Sequence, residues 1–150
     1  MGKRLKTGDV LEITTGDGRF VYLQYLGKHA EYGDAVAVCP REYASRVPEN
    51  ASLFVSAYVT FYPAHAAVAR GLARVHGTSA PQRMPARWRR AGARVGLTVK
   101  TWIIEDGSSE EVKHQLSPEE RHLPIAAIWN HEFLLQRVRE GWRPEMEGSK

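Results

Sequence analysis

Apolar and polar residues alternate with period two along several short stretches, and with a period near 3.6 along only two. Val10-Leu11-Glu12-Ile13 reads as a short strand. Thr15-Gly16-Asp17-Gly18 follows as a turn, because Gly accepts positive φ and Asp tolerates it. Phe20 to Leu26 is the return strand, with Val21, Leu23 and Tyr25 on one face and Phe20, Tyr22 and Gln24 on the other. Gly27 to Asp34 is polar and predicts a loop, and Ala35 to Cys39 predicts a third strand. From Leu53 to Tyr62, Leu53, Val55, Ala57, Val59 and Phe61 share one face, the pattern of a half-buried strand.

The period then changes. Pro63 suits a first helical position, and Val68, Leu72 and Val75 recur at i, i+4 and i+7. Gly77 is the expected stop, while Gly71 weakens the helix by about 1 kcal/mol relative to Ala. Residues 77 to 96 are rich in Gly, Pro and Arg and predict a long loop, a kind of segment that is often functional. Leu97 to Ile104 predicts a strand, Asp106-Gly107 a turn, and Val112 to Leu116 the return, with Val112, His114 and Leu116 on its apolar side. Ser117-Pro118-Glu119-Glu120 has the form of a capping box opening a short helix that Pro124 must end. Ile125 to Trp129 predicts a buried strand. Asn130 caps a final helix with Leu134, Leu135 and Val138 on its apolar side, extended by Trp142 and stopped by Gly141. Residues after about 144 read as a flexible tail.

The sum is an α+β fold: a curved, mainly antiparallel sheet of five to seven strands with two or three packed helices. One hundred and fifty residues make a single domain, 1–150, able to bury a core without disulfide or metal. The basic N-terminus is followed by no apolar stretch of signal-peptide or spanning length, so a cytoplasmic protein with no membrane association is expected.

Charge changes the picture. Residues 50 to 104 hold seven Arg and one Lys with no Asp or Glu, whereas residues 105 to 150 hold ten acids against six bases. So sharp a split points to function through a surface. Within the basic stretch, Arg83, Arg87, Trp88, Arg89, Arg90 and Arg94 are the candidate binding residues. Guanidinium forks pair with carboxylate or phosphate, and Trp anchors an interface or stacks a base. Three readings stay open for them: a protein interface, a nucleic-acid surface, or internal pairing with Glu105, Asp106, Glu110 and Glu111.

Motifs of catalysis are absent. No two of the six His are three or four residues apart, and with one Cys no zinc spacing occurs, so no metal is expected. Glu110-Glu111 and Glu119-Glu120 are adjacent pairs whose members point to different faces. Gly16-Asp17-Gly18 lacks the Lys-Ser/Thr of a phosphate loop, and no Gly-x-Ser-x-Gly is present. Cys39 is expected to be a buried inert thiol, and His65 and His114 packed, hydrogen-bonded imidazoles. No catalytic residue and no cofactor are therefore expected.

The chain resembles the immunity protein 26 (Imm26) family of bacterial polymorphic toxin systems. The likeness lies in Lys6-Thr7-Gly8-Asp9-Val10-Leu11-Glu12-Ile13, Asp17-Gly18-Arg19-Phe20-Val21-Tyr22, and the strand around Phe54. It continues through Trp102-Ile103-Ile104-Glu105-Asp106-Gly107, Leu116-Ser117-Pro118-Glu119-Glu120-Arg121 and Gly141-Trp142. The resemblance implies a small cytoplasmic α+β protein that neutralises a cognate toxin by binding it, without catalytic residues. A small basic nucleic-acid-binding module is the alternative. A basic immunity protein implies an acidic toxin face meeting residues 83 to 94, or contact through the acidic C-terminal third.

Overall fold

The computed structural model describes residues 4–49 and 51–147. The architecture is α+β, with ten short strands in sheets of five, three and two rather than in one sheet. Strand β1 (Asp9–Thr14) and β2 (Phe20–His29) form the expected hairpin around residues 15–18, with Leu11 opposite Leu23 and Ile13 opposite Val21. β3 (Gly33–Val38) follows after only three residues, because β2 runs on through the stretch expected to be a loop, with a bulge at Leu26. β4 (Tyr58–Phe61) completes one side, helix α1 (Ala64–Ala69) follows, and β5 (Arg74–Thr78) pairs with β1. The sheet order is β4-β3-β2-β1-β5, antiparallel throughout.

Both faces of this sheet are buried. Leu11, Ile13, Val21, Leu23, Val36 and Val38 pack on one side against Trp129, Leu134, Val138 and Trp142. Val10, Tyr22, Ala35, Ala37 and Cys39 pack on the other against Leu53, Phe54 and Phe61. Each fully buried aliphatic side chain contributes about 1.5–3 kcal/mol. Cys39 is buried as expected, and burial pushes its thiol pKa up.

Several sequence expectations are corrected here. The helix expected from Pro63 to Gly77 ends at Ala69, since Arg70 to Ala73 turn the chain and residues 74–78 pair as a strand. Val75 therefore packs from a strand, and Leu72 is 40% exposed. Only residues 58–61 of the expected strand 53–62 are strand; a turn places Leu53 and Phe54 inward and leaves Val55 89% exposed. Apolar alternation alone cannot hold a strand that lacks a backbone partner.

The remaining strands lie in the stretch that reads as a long loop and beyond it. β6 (Trp88–Ala91) pairs with β9 (Trp102–Glu105), which pairs with β10 (Glu110–Lys113). β7 (Arg94–Val95) and β8 (Thr98–Val99) form a hairpin whose turn begins at Gly96, with φ +60°. Val112 and His114 are exposed, not packed as expected, because β10 is an edge strand with little covering it. The Ser117–Glu120 capping box forms as written, Ser117 N–H donating to Glu120 and Glu120 N–H to Ser117. Ile125 to Trp129 is not a strand. It is an extended bridge, touching β6 at Ile125 and β4 at Ile128, that joins the two larger sheets. Helix α2 (His131–Glu140) starts at the Asn130 cap and ends at Gly141, φ +69°, as its sequence predicts. Pro144 to Met146 forms a 3₁₀ turn fixed against the body, where a flexible tail was expected; the last three residues lie outside the described set.

Candidate functional site

The six candidate residues separate by the strand period. In β6, Trp88 and Arg90 lie on one face and Arg89 and Ala91 on the other. Trp88 is 6% exposed; its indole N–H donates to Glu105 Oε2, and His29 meets its ring edge at 4.4 Å. Arg90 reaches Glu105 Oε1 and Glu110 Oε1, the internal pairing that the acidic C-terminal third allowed. The Arg90 guanidinium comes first among the groups that hold Glu105 below the ordinary carboxylate range.

Arg89 is fully buried. Its Nη2 donates to the carbonyls of Pro144 and Arg121, its Nη1 to that of Glu147 at 3.1 Å, and its guanidinium lies 4.2 Å over the Trp102 ring. Burial pulls its pKa down to about 10, so it stays charged at neutral pH. Arg89 therefore holds the fold from the interior, and Trp88 is fixed against Glu105 and His29 at the edge of a recess lined by Glu31, Glu105 and Gly107. Arg83, Arg87 and Arg94 are exposed and form no ion pair among the described residues. Arg83 and Arg87 ride on a segment fixed by Gln24, whose buried amide donates to Ser79 Oγ at 2.7 Å and accepts from Gln82 N–H. Arg94 stands apart from them on the β7–β8 hairpin.

Arg94 borders a cleft of ≈ 780 Å³ between that hairpin, β9, the 125–130 bridge and α2. Trp102, Trp129, Phe133 and Trp142 form its walls, with Trp129 5.2 Å from Phe133 and 5.1 Å from Trp142. Arg90, Arg94 and Arg137 supply positive charge, and Glu147 is the one acid in the lining. The Arg137 guanidinium lies 4.7 Å over Phe133 and 4.9 Å over Trp142, and its Nη2 is 3.4 Å from Glu147 Oε1. Trp142 Nε1 shares that oxygen at 3.3 Å. On the β7–β8 hairpin Val95 is 64% and Leu97 98% exposed, and Ile128 in the lining is 60% exposed.

This arrangement can hold an anionic, partly apolar group. The lining has no His, Cys, Ser or Lys and only a single carboxylate, so it offers no general acid–base pair. The sequence missed Arg137, Phe133, Trp129 and Glu147 as site residues; Arg137 reads there only as a charge at a helix C-terminus. Among the described residues no group of three or more His, Cys, Asp or Glu could hold a metal, and no helix is long and apolar enough to cross a membrane. Comparison with family models, with curated proteins and with solved structures finds no match for this chain.

Proposed function

We propose that the chain is a non-enzymatic binding protein that acts in the cytoplasm and neutralises a cognate bacterial toxin by direct contact. The observation that carries this reading is the basic, aromatic-walled cleft flanked by a hairpin whose Val95 and Leu97 stand in solvent. Apolar side chains so exposed beside an Arg94 unpaired among the described residues suit an interface with a charged rim. The partner is a protein presenting an acidic, apolar-tipped segment, because Arg94 is left without an acidic partner among the described residues at a cleft whose Arg90 and Arg137 already pair with Glu105, Glu110 and Glu147. The sequence likeness to the Imm26 family supports the same assignment. The Trp rings of the cleft already pack against neighbouring rings or guanidiniums and are at most 6% exposed, which disfavours base stacking and hence the nucleic-acid alternative.

The test is calorimetric titration of the full chain with the toxin encoded beside its gene. The expected result is a 1:1 complex that Leu97→Asp combined with Arg94→Glu weakens by about 100-fold or more, consistent with loss of a central anchor. Wild-type affinity in the double variant would remove the cleft and hairpin as the interface. No binding to the neighbouring toxin would remove the immunity function.

A further inference from the structure

A second constellation lies where β1 pairs with the edge strand β5. Glu12 is buried in β1, its side chain wholly out of solvent. Arg46 Nε donates to both of its oxygens at 3.0 Å, and Arg74 Nε donates to Oε1 at 2.8 Å. Tyr22 Oη donates to Oε2 at 2.8 Å, and Val47 N–H fixes that hydroxyl in turn. Burial raises the Glu12 pKa, but Tyr22, Arg74 and Arg46 outweigh it and hold the carboxyl below its ordinary value.

One guanidinium and the tyrosine would satisfy this carboxylate. A second guanidinium leaves the cluster with net positive charge. Both arginines, moreover, are bound only through Nε. Their Nη groups make no hydrogen bond among the described residues, and the side chains are 54% and 52% exposed. Because both Nε atoms bond the same oxygen, they lie within about 6 Å of each other. The Phe20 ring backs the Arg46 guanidinium at 5.3 Å. Arg74, without Arg46, borders a recess of ≈ 180 Å³ whose lining includes Glu12, Thr14, Gly71 and His131.

We propose that Arg46 and Arg74 form an anion site that takes a phosphate group through their free Nη edges. Two guanidiniums whose Nε atoms share one carboxylate oxygen can offer several N–H donors to a tetrahedral oxyanion. Glu12 is the positioning residue: it removes the rotamer freedom that two exposed arginines would otherwise lose on binding. The site is independent of the cleft and of the toxin reading.

Inorganic phosphate titrated into the full chain at constant ionic strength, followed by the NMR signals of the arginine Nε–H groups, tests this. Saturable shifts are expected at Arg46 and Arg74, against no more than bulk drift at Arg83 and Arg87, which line neither site. Arg46→Lys, which keeps the charge and loses the fork, should weaken binding by about 10-fold. Glu12→Gln should weaken it as well, although that variant adds positive charge. Equal drift at all arginines, or tighter phosphate binding in Glu12→Gln, overturns the proposal. Should Glu12→Gln fail to fold, the wild-type shifts and Arg46→Lys decide. Parallel titrations with glycerol phosphate and dimethyl phosphate assign the site to a phosphomonoester or to a diester backbone.

Discussion

Arg89 brings a full charge into the interior with no carboxylate hydrogen-bonded to it among the described residues. Three backbone carbonyls from two segments, Arg121 and the 144–147 turn, accept from its Nη groups instead, and an indole face covers it. Removing it strands those carbonyls in a dry site. We expect Arg89→Ala to lower stability by roughly 3–5 kcal/mol in urea unfolding, and to loosen residues 144–147 in hydrogen exchange. Glu12 makes a pH prediction. Its folded pKa lies below the ordinary 4.5, so its ionised form stabilises the fold above that value. That contribution should fade as pH falls through the lower folded pKa. The melting temperature should therefore drop below about pH 4.5, and the drop should be shallower in Glu12→Gln, which has no proton to take up. An equal acid slope in both proteins would place the acid sensitivity elsewhere.

Among the elements, α2 is stopped and started by its own residues. Asn130 Oδ1 accepts from Phe133 N–H at 2.8 Å, so Asn130→Ala should cost about 1 kcal/mol in denaturant unfolding. The β7–β8 hairpin depends on a close approach. A Cβ on Gly92 would sit 2.5 Å from Thr101 Oγ1, the atom that accepts the Ala93 N–H at 2.7 Å. Gly92→Ala must push that side chain away. We expect roughly 1–3 kcal/mol of destabilisation and faster exchange at the Ala93 amide, with β1–β2 amides unchanged. Since the hairpin carries Arg94 and Leu97, toxin affinity should fall with it.

Across the whole molecule, the charge split along the chain does not survive as two opposed faces. Arg90 pairs with Glu105 and Glu110, and Arg74 joins Arg46 on the buried Glu12, so part of the central positive charge is absorbed. What remains outward is Arg70, Arg83, Arg87, Arg94 and Lys100, apart from the two forks at Glu12. If the cleft seats an acidic partner, association should slow as salt rises from about 50 to 500 mM, while dissociation changes less. Stopped-flow mixing with the toxin measures both rates, and a salt-independent association rate would argue against charge steering.

Local signals settled whatever depends on near neighbours. The β1–β2 turn, the Ser117 capping box, the Asn130 cap and the Gly141 stop were legible because each is closed by bonds within a few residues. The α+β class was legible too, from the two hydrophobic periods. Long-range pairing decided the rest. Residues 74–78 became a strand because β1 offered a free edge, and residues 88–91 because β9 did, against a local pattern of helix in one case and loop in the other. The same pairing buried Trp88 and Arg89 while leaving Arg94 outside, a division that composition cannot express. A one-dimensional pattern reports which residues prefer the interior. Which backbone edges remain unsatisfied, and what covers them, exists only once the chain has closed on itself.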